Sequence, residues 1–361
     1  MKCTDNRDER PSVYTEREWA RMMEKEARED RRERKLILAL LLLALITALM
    51  SYMVYYFVLR SHDYQLSHTF QKEDTVYGFQ SGTHLAGTAS PFAADLCVTD
   101  KDVGTSSVAV NASEGALFDV NSKEVKYAKD IFTSRGPASM TKVMTALVAI
   151  KYGNMDDIVT VTDTALDIEY GSSVCNIQVG DQLSLKQLLY GLLIASGNDA
   201  AMMIAEHVGG SVDNFVAMMN EEAQALGATG THFENPHGLT AEGHYTTAYD
   251  MYLIFREAMK YDLFMDIINR HNYYAEYTDA SGSAMAMTWE STNHYFTGEA
   301  YAPEQVIVYG GKTGTTDEAG ACLILLSKDL YGNPYISVIM NAATKDDLYT
   351  QMNQILSIIP N

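Results

Sequence analysis

An uninterrupted apolar run from Leu36 to Leu59, 24 residues without one charged side chain, constrains this chain more than any other feature. As a helix it is about 36 Å long, enough to cross the hydrocarbon core of a bilayer. Tyr52, Tyr55 and Tyr56 near its end suit the headgroup interface. The run and the segment before it are too long for a cleaved leader, and no small-residue cleavage site follows closely, so an uncleaved signal anchor is expected. Arg31-Arg32-Glu33-Arg34-Lys35 precedes the run, whereas Arg60 and Lys72 are the only Lys or Arg between positions 60 and 99. That asymmetry puts the N-terminus in the cytoplasm and residues 60–361 outside, on a cell membrane crossed once.

The run divides the chain. Residues 1–35 are a cytoplasmic charged tail with 11 Lys/Arg against 10 Asp/Glu. Glu24/Arg28 and Asp30/Arg34 are spaced to pair along a solvated helix. Residues 36–59 are the transmembrane segment. Residues 60–104, rich in Ser, Thr, His, Gly and Asp without periodicity, read as an extracytoplasmic stalk. Residues 105–361 remain for one globular domain. The formal net charge of −20, with no basic patch beyond the tail, argues against a nucleic-acid partner. Cys3, Cys97, Cys175 and Cys322 have no Cys-x-x-Cys spacing, so neither a zinc ribbon nor a redox motif is supported. With Cys3 across the membrane from the rest, at most one disulfide can form among the other three, and isolated buried thiols are the default.

Within the domain, Ser107–Asn111 and Ala116–Val120 read as strands joined at Ser113-Glu114-Gly115, followed by a turn at Asn121-Ser122 and a strand over Glu124–Ala128. A mostly helical middle runs from about 139 to 270. Strands return at Val306–Tyr309, Ala321–Ser327 and Tyr335–Met340, and Thr344-Lys345-Asp346-Asp347 caps a final helix to Ile358. The expected fold class is mixed α/β: an antiparallel sheet flanked by helices, its two halves drawn from distant sequence, with a helical subdomain beside it.

Three short stretches carry chemistry. In Pro137-Ala138-Ser139-Met140-Thr141-Lys142 a serine and a lysine lie three apart at the start of an apolar helix, so hydroxyl and amine share a face. A desolvated lysine amine can take the hydroxyl proton and leave a nucleophile. Ser196-Gly197-Asn198 lies where a glycine breaks one apolar helix before the next. Lys312-Thr313-Gly314 ends an apolar strand whose Gly310 and Gly311 would let a substrate backbone approach. Ser-x-x-Lys alone is expected about once by chance in such a chain; three motifs in this order and these contexts are not. A second Ser-x-Asn, Ser291-Thr292-Asn293, is set aside because it lies in a polar stretch. His232, His237 and His244 match no zinc spacing and read as structural or surface residues; no metal and no cofactor is called for.

The set resembles the penicillin-binding proteins and serine β-lactamases, and more closely the low-molecular-mass D-alanyl-D-alanine carboxypeptidases. The resemblance covers roughly 105–361 and includes Gly191 through Ala201, Thr231–Leu239 and Gly310–Thr316 with Ala319-Gly320. It implies a DD-peptidase-like fold. It also implies catalytic roles for Ser139 as nucleophile, Lys142 as general base and Ser196 as proton relay. Asn198 would hold the substrate amide, and Lys312 and Thr313 would bind its terminal carboxylate, with Gly314 and Thr315 beside them in the substrate-binding set. The backbone N–H groups of Ser139 and Thr315 would form an oxyanion hole, and Lys312 would keep Lys142 deprotonated. The implied partners are peptidoglycan stem peptides ending in D-Ala-D-Ala, β-lactams as covalent inhibitors, and the membrane through Leu36 to Leu59. Several relatives have His after Lys-Thr-Gly where this chain has Thr315, and many carry a C-terminal anchor, a task expected here of the N-terminal span. A serine β-lactamase, a DD-endopeptidase and a membrane sensor of β-lactams or wall fragments are the alternatives; Glu234, where a β-lactamase would place its deacylating Glu, reads as a surface residue.

Overall fold

The structure, a computed structural model, describes residues 95–104 and 110–360, together with Val108 and with Arg21, Met22, Glu24, Lys25, Arg28, Thr47, Leu49 and Met50. The chain divides into two compact units, Met1–Gly87 and Thr88–Asn361. In the first, the described positions are helical, and Arg28 pairs with Glu24 at 2.5 Å. The expected membrane span at 36–59 lies outside the described residues apart from Thr47, Leu49 and Met50, as do the stalk up to residue 94 and the Asp30/Arg34 pair. Among the described residues no helix is long and apolar enough to cross a membrane.

The second unit is built on strands β1 (Glu114–Asp119), β2 (Glu124–Lys129), β7 (Ile307–Thr316), β8 (Gly320–Lys328) and β9 (Pro334–Ala342). They form an antiparallel sheet in the order β2-β1-β9-β8-β7, so the N-terminal hairpin docks on the last strand of the chain. Successive side chains of a strand point to opposite faces, and here both faces are covered. Ala116, Phe118, Ile324, Leu326, Ile336 and Val338 enter one core, whereas Leu117, Leu323, Leu325 and Ile339 enter another. That is why β8 reads as a nearly continuous apolar run rather than an alternating one.

Helix α8 (Lys345–Leu356) closes the second core with Leu348, Met352, Ile355 and Leu356, a single stripe at helical spacing. Its cap is the expected one: the Thr344 hydroxyl accepts from Asp347 N. On the other face lies α1 (Lys142–Tyr152), whose residues from Lys142 to Ala149 are all buried. A helix apolar all round belongs inside a domain; α3 (Asn198–Gly209), α4 (Val212–Ala225) and α5 (Ala248–Ala258) pack on it, and α2 (Leu185–Tyr190) and α6 (Asp262–Ile268) are the other helices of this layer. A short α7 (His294–Thr297) precedes β7.

Four features differ from the sequence expectation. A second antiparallel sheet joins β3 (Ile158–Thr160), β4 (Gln182–Ser184), β5 (Asn272–Thr278) and β6 (Ala284–Glu290) in that order. Two of these strands interrupt the expected helical middle, and at three residues each they carry no readable period. The expected strand at Ser107–Asn111 does not join either sheet through its described residues. Its neighbourhood is held by side chains instead: Lys129 Nζ donates to the carbonyls of Val110 at 3.0 Å and Ala112 at 2.6 Å. Residues 95–104, assigned above to the stalk, pack on the domain, where Cys97 is buried and its N–H donates to Tyr252 Oη at 3.0 Å. Finally, Gly310 and Gly311 make room for protein rather than substrate. A Cβ on Gly310, at φ +150°, would meet Ile268 O at 1.8 Å, and one on Gly311 would meet Ile324 O at 2.1 Å.

Cys97, Cys175 and Cys322 are free and buried, as the default reading had it. Phe118 joins the sheet to the helical layer, its ring stacked on Tyr252 of α5 at 4.1 Å between centroids, and both are fully buried. Phe118→Ala is expected to cost about 3–5 kcal/mol, measured as a fall in the urea midpoint; a loss below about 1 kcal/mol would mean that this contact does not tie the two layers together.

Candidate active site

Ser139 does not open the long helix. It sits in a 3₁₀ turn, Ala138–Thr141, and Lys142 is the first residue of α1. The turn begins in strain, because Ala138 has φ +46°, a region unfavourable for a residue with a Cβ. A relay of buried groups holds it. Glu234 N donates to His244 Nδ1 at 3.0 Å, so neutral His244 carries its proton on Nε2, which lies 2.9 Å from Thr141 Oγ1. Thr141 Oγ1 in turn donates to Ala138 O at 2.9 Å. Two of the histidines set aside as structural are therefore set close beneath the turn: His244 through this relay, and His237 through its carbonyl, described next.

Lys142 Nζ lies 2.9 Å from Ser139 Oγ, 2.6 Å from Asn198 Oδ1 and 2.7 Å from His237 O. The last two are pure acceptors. A neutral amine has two N–H bonds and one lone pair, so once both hydrogens go to those oxygens the lone pair faces the Ser139 hydroxyl. Burial first, and the Lys312 charge second, hold the Lys142 ammonium well below its usual pKa. The sequence expectation gave Lys312 the leading part; the structure gives it to burial.

Ser196 and Asn198 enter from the junction of α2 and α3. A π-type turn, Gly191–Ala195, ends at Ser196 in the left-handed region, φ 61°. The helix break is thus at the serine itself, while Gly197 is extended and serves as the N-cap of α3. Asp199 anchors this junction. Its carboxylate accepts from Cys175 N and Ala200 N, both at 2.8 Å, which leaves it turned to backbone rather than to Lys142. Burial raises its pKa, and burial with the Asp199 charge raises that of the Cys175 thiol, which is inert in consequence.

The third stretch lies inside β7 rather than at its end. Lys312 is buried, and its Nζ donates to Ser196 Oγ and to Thr313 O, each at 2.9 Å. Burial pushes its pKa down to about 7. Gly314 makes the junction possible: a Cβ there would lie 2.9 Å from Ser139 N and 3.1 Å from Met140 N, so only a glycine lets β7 press this closely on the 3₁₀ turn. Ser139, Ser196, Thr313, Gly314 and Thr315 line a cleft of about 100 Å³, with Lys142, Asn198 and Lys312 beneath it. All eight residues singled out from the sequence come to one place.

Others were missed. Thr292, from the discarded Ser291-Thr292-Asn293, lines the same cleft, its hydroxyl 2.6 Å from that of Thr313. The duplicate motif was the available signal. Ser173 also lines it and gives its carbonyl to Asn198 N at 2.8 Å; no sequence pattern marks it. Glu234 is on the surface as expected, half-exposed and 3.0 Å from His232 Nε2. Among the described residues no group of His, Cys, Asp and Glu could hold a metal ion.

The family model described as D-alanyl-D-alanine carboxypeptidase matches residues 101–344. The chain belongs to this family. Among family members it is 35% identical over 259 residues to D-alanyl-D-alanine carboxypeptidase DacF of Bacillus subtilis, covering 70% of this chain and 63% of that protein. It is 34% identical over 224 residues to DacA of Escherichia coli, covering 60% and 52%. The matches thus span less than two thirds of those relatives. The crystal structure of the Streptomyces K15 DD-transpeptidase is similar at a TM-score of 0.66 and 28% identity, over 70% of this chain and 98% of that one.

The relay gives the carboxypeptidase fold of this chain a pH dependence. Burial pushes the pKa of His244 down to about 4, so the neutral form stabilises the folded state above the unfolded value near 6.5 and that stability is lost as pH falls towards 4. His244→Gln is expected to lower Tm at pH 7.5, with the gap to wild type shrinking between pH 6.5 and 4. A gap constant with pH would mean that His244 does not stay neutral in the fold.

Proposed function

We propose that this protein is a membrane-anchored serine D-Ala-D-Ala carboxypeptidase that removes the terminal D-alanine from peptidoglycan stem pentapeptides. The observation that carries the reading is the buried Lys142 amine, its hydrogens engaged by Asn198 Oδ1 and His237 O and its lone pair turned to Ser139 Oγ. In this reading Lys142 takes the Ser139 proton as Oγ attacks the carbonyl between the two D-alanines. The backbone N–H groups of Ser139 and Thr315 receive the developing oxyanion, consistent with the closeness of Gly314 to Ser139 N. Ser196, tied to Lys312, passes a proton to the departing amine, and Asn198 holds the substrate amide. Water then hydrolyses the ester on Ser139. β-Lactams enter by the same attack and leave a long-lived acyl-enzyme.

The unbroken apolar run Leu36–Leu59 and its positively charged N-terminal flank support single-pass anchoring, with the domain on the extracytoplasmic side. A second reading, transfer of the acyl group to an amine, is favoured by one observation: the similar Streptomyces K15 protein is a DD-transpeptidase. The same acyl-enzyme serves both readings.

Wild type incubated with diacetyl-Lys-D-Ala-D-Ala should release D-alanine, and penicillin should add its mass to the protein. Ser139→Ala should do neither while remaining folded. D-Alanine release by the Ala variant would overturn the assignment of the nucleophile. Lys142→Ala should slow acylation by about 10²–10⁴-fold. In wild type the rate should fall as acidification protonates Lys142, because a charged ammonium cannot accept the hydroxyl proton; a rate independent of pH from 9 to 5 would rule out Lys142 as the base.

A further inference from the structure

The two backbone donors assigned to the oxyanion come from separate elements, Ser139 N from the 3₁₀ turn and Thr315 N from β7. Their separation decides whether both reach one oxygen. β7 is an edge strand, paired with β8 on one side and with no strand on the other. Thr315 is its last residue but one, so its aim depends on what holds the chain on either side of it. Before it stands Gly314, pressed against Ser139 N. After it comes the turn 317–319 into β8.

One side chain of β9 holds that turn. Asn341 Nδ2 donates to Ala319 O at 3.1 Å and reaches Glu318 O at 3.5 Å, while its Oδ1 accepts from Ser113 Oγ at 2.8 Å. Cys322 Sγ adds a weaker bond to Ala319 O at 3.4 Å, and Ala319 N closes the turn on Thr316 Oγ1 at 3.0 Å. Glu318 and Ala319 in turn share a small recess with Gly136, Pro137 and Ala138, the approach to Ser139.

The tether rests on a backbone exception. Asn341 has φ +58° and lies where two residues of β9, Met340 and Asn341, stand opposite one of β8, Cys322. A bulge of this kind re-aims a side chain. Gly320, at φ +64°, lets the amide come close: a Cβ there would lie 3.1 Å from Asn341 Nδ2 and 2.8 Å from Ala342 O. Glycine would adopt the backbone conformation of position 341 with less strain, so the bulge alone does not call for an asparagine. The amide does.

We propose that Asn341 is a positioning residue for the oxyanion hole: its amide fixes the β7–β8 turn and thereby aims Thr315 N–H at the oxygen that Ser139 N also serves. It touches no reacting atom. The proposal rests on the acyl-enzyme reading above, and its test separates the two.

Asn341→Gly keeps the left-handed backbone and removes the amide. Asn341→Asp keeps the shape and sets a carboxylate against two carbonyls. Loss of one oxyanion donor costs about 10²–10³-fold in kcat, and a misaimed donor costs part of that. The Gly variant should therefore lose about 3- to 10-fold in kcat on diacetyl-Lys-D-Ala-D-Ala, and the Asp variant about 10- to 100-fold, with KM little changed because the donors act in the transition state. Ser113→Ala, which frees the other end of the amide, should cost less and add nothing in the Gly background. Infrared difference spectra of the penicilloyl-enzyme supply a readout that a purely structural role would not move. The ester carbonyl stretch should shift to higher frequency in both Asn341 variants as its hydrogen bonds loosen. A Gly variant as active as wild type, or one with an unshifted carbonyl, would overturn the proposal, and so would a kcat loss matched by an equal loss of penicillin-titratable sites. Failure of penicillin to acylate wild type at Ser139 would overturn the acyl-enzyme reading instead.

Discussion

Two lysine side chains taken out of water are the constraint on which this domain depends. Burying an ammonium is costly, and the cost is met either by an opposite charge or by loss of the proton. Among the described residues no carboxylate pairs with Lys142. Asp199, the nearest candidate in sequence to the Ser196 stretch, spends one oxygen on the backbone N–H groups of Cys175 and Ala200 and the other on that of Ile177. What surrounds Lys142 Nζ is one hydroxyl and two carbonyl-type oxygens, a set matched to the neutral amine. Lys312, itself buried, adds a like charge and pushes in the same direction. An ion pair would have stabilised the charged form instead.

That environment has to be assembled from distant chain. Lys142 comes from α1, Asn198 from α3, His237 from the loop before α5, and Lys312 from β7. The sheet order brings the last of these home: β7 is an edge strand, next to β8 and remote from β1, so its outer edge is free to lie along the 3₁₀ turn. Gly314 sets how closely it lies. The two serines that meet there both sit at backbone exceptions, Ser139 directly after Ala138 at φ +46° and Ser196 itself at φ 61°. Each is locked by buried polar groups, the His244–Thr141 relay on one side and the Asp199 anchor on the other. Strain of this kind persists only where the surroundings over-determine it.

The sequence made much of this legible, for physical reasons that differ by element. β8, β9 and α8 were readable because burial on both sheet faces, or a single apolar stripe, leaves a long period or run. Ser139, Lys142, Ser196, Asn198 and Lys312 were readable because their spacing and order are improbable as a set. β3 and β4 were not, since three residues carry no period. Ser107–Asn111 misled because Val110 is buried in the second core while its carbonyl accepts from Lys129 Nζ rather than from a ladder. Gly310 and Gly311 misled in another way. A glycine in a strand signals close approach without saying of what, and here it is the backbone of Ile268 and Ile324. Thr292 was discarded on context, although loops carry functional residues as readily as helix breaks do.

The division of labour between the lysines follows from depth. A group that must lose its proton belongs beneath the cleft, where desolvation acts fully, and Lys142 is there. A group that must keep its charge to attract an anion belongs where water still solvates it. Lys312, buried with a pKa down to about 7, lies between these conditions: it can donate to Ser196 Oγ in either protonation state and so holds that hydroxyl whether or not it is charged. Depth and partners together therefore separate two chemically identical amines, Lys142 among oxygens matched to the neutral form and Lys312 donating to a hydroxyl.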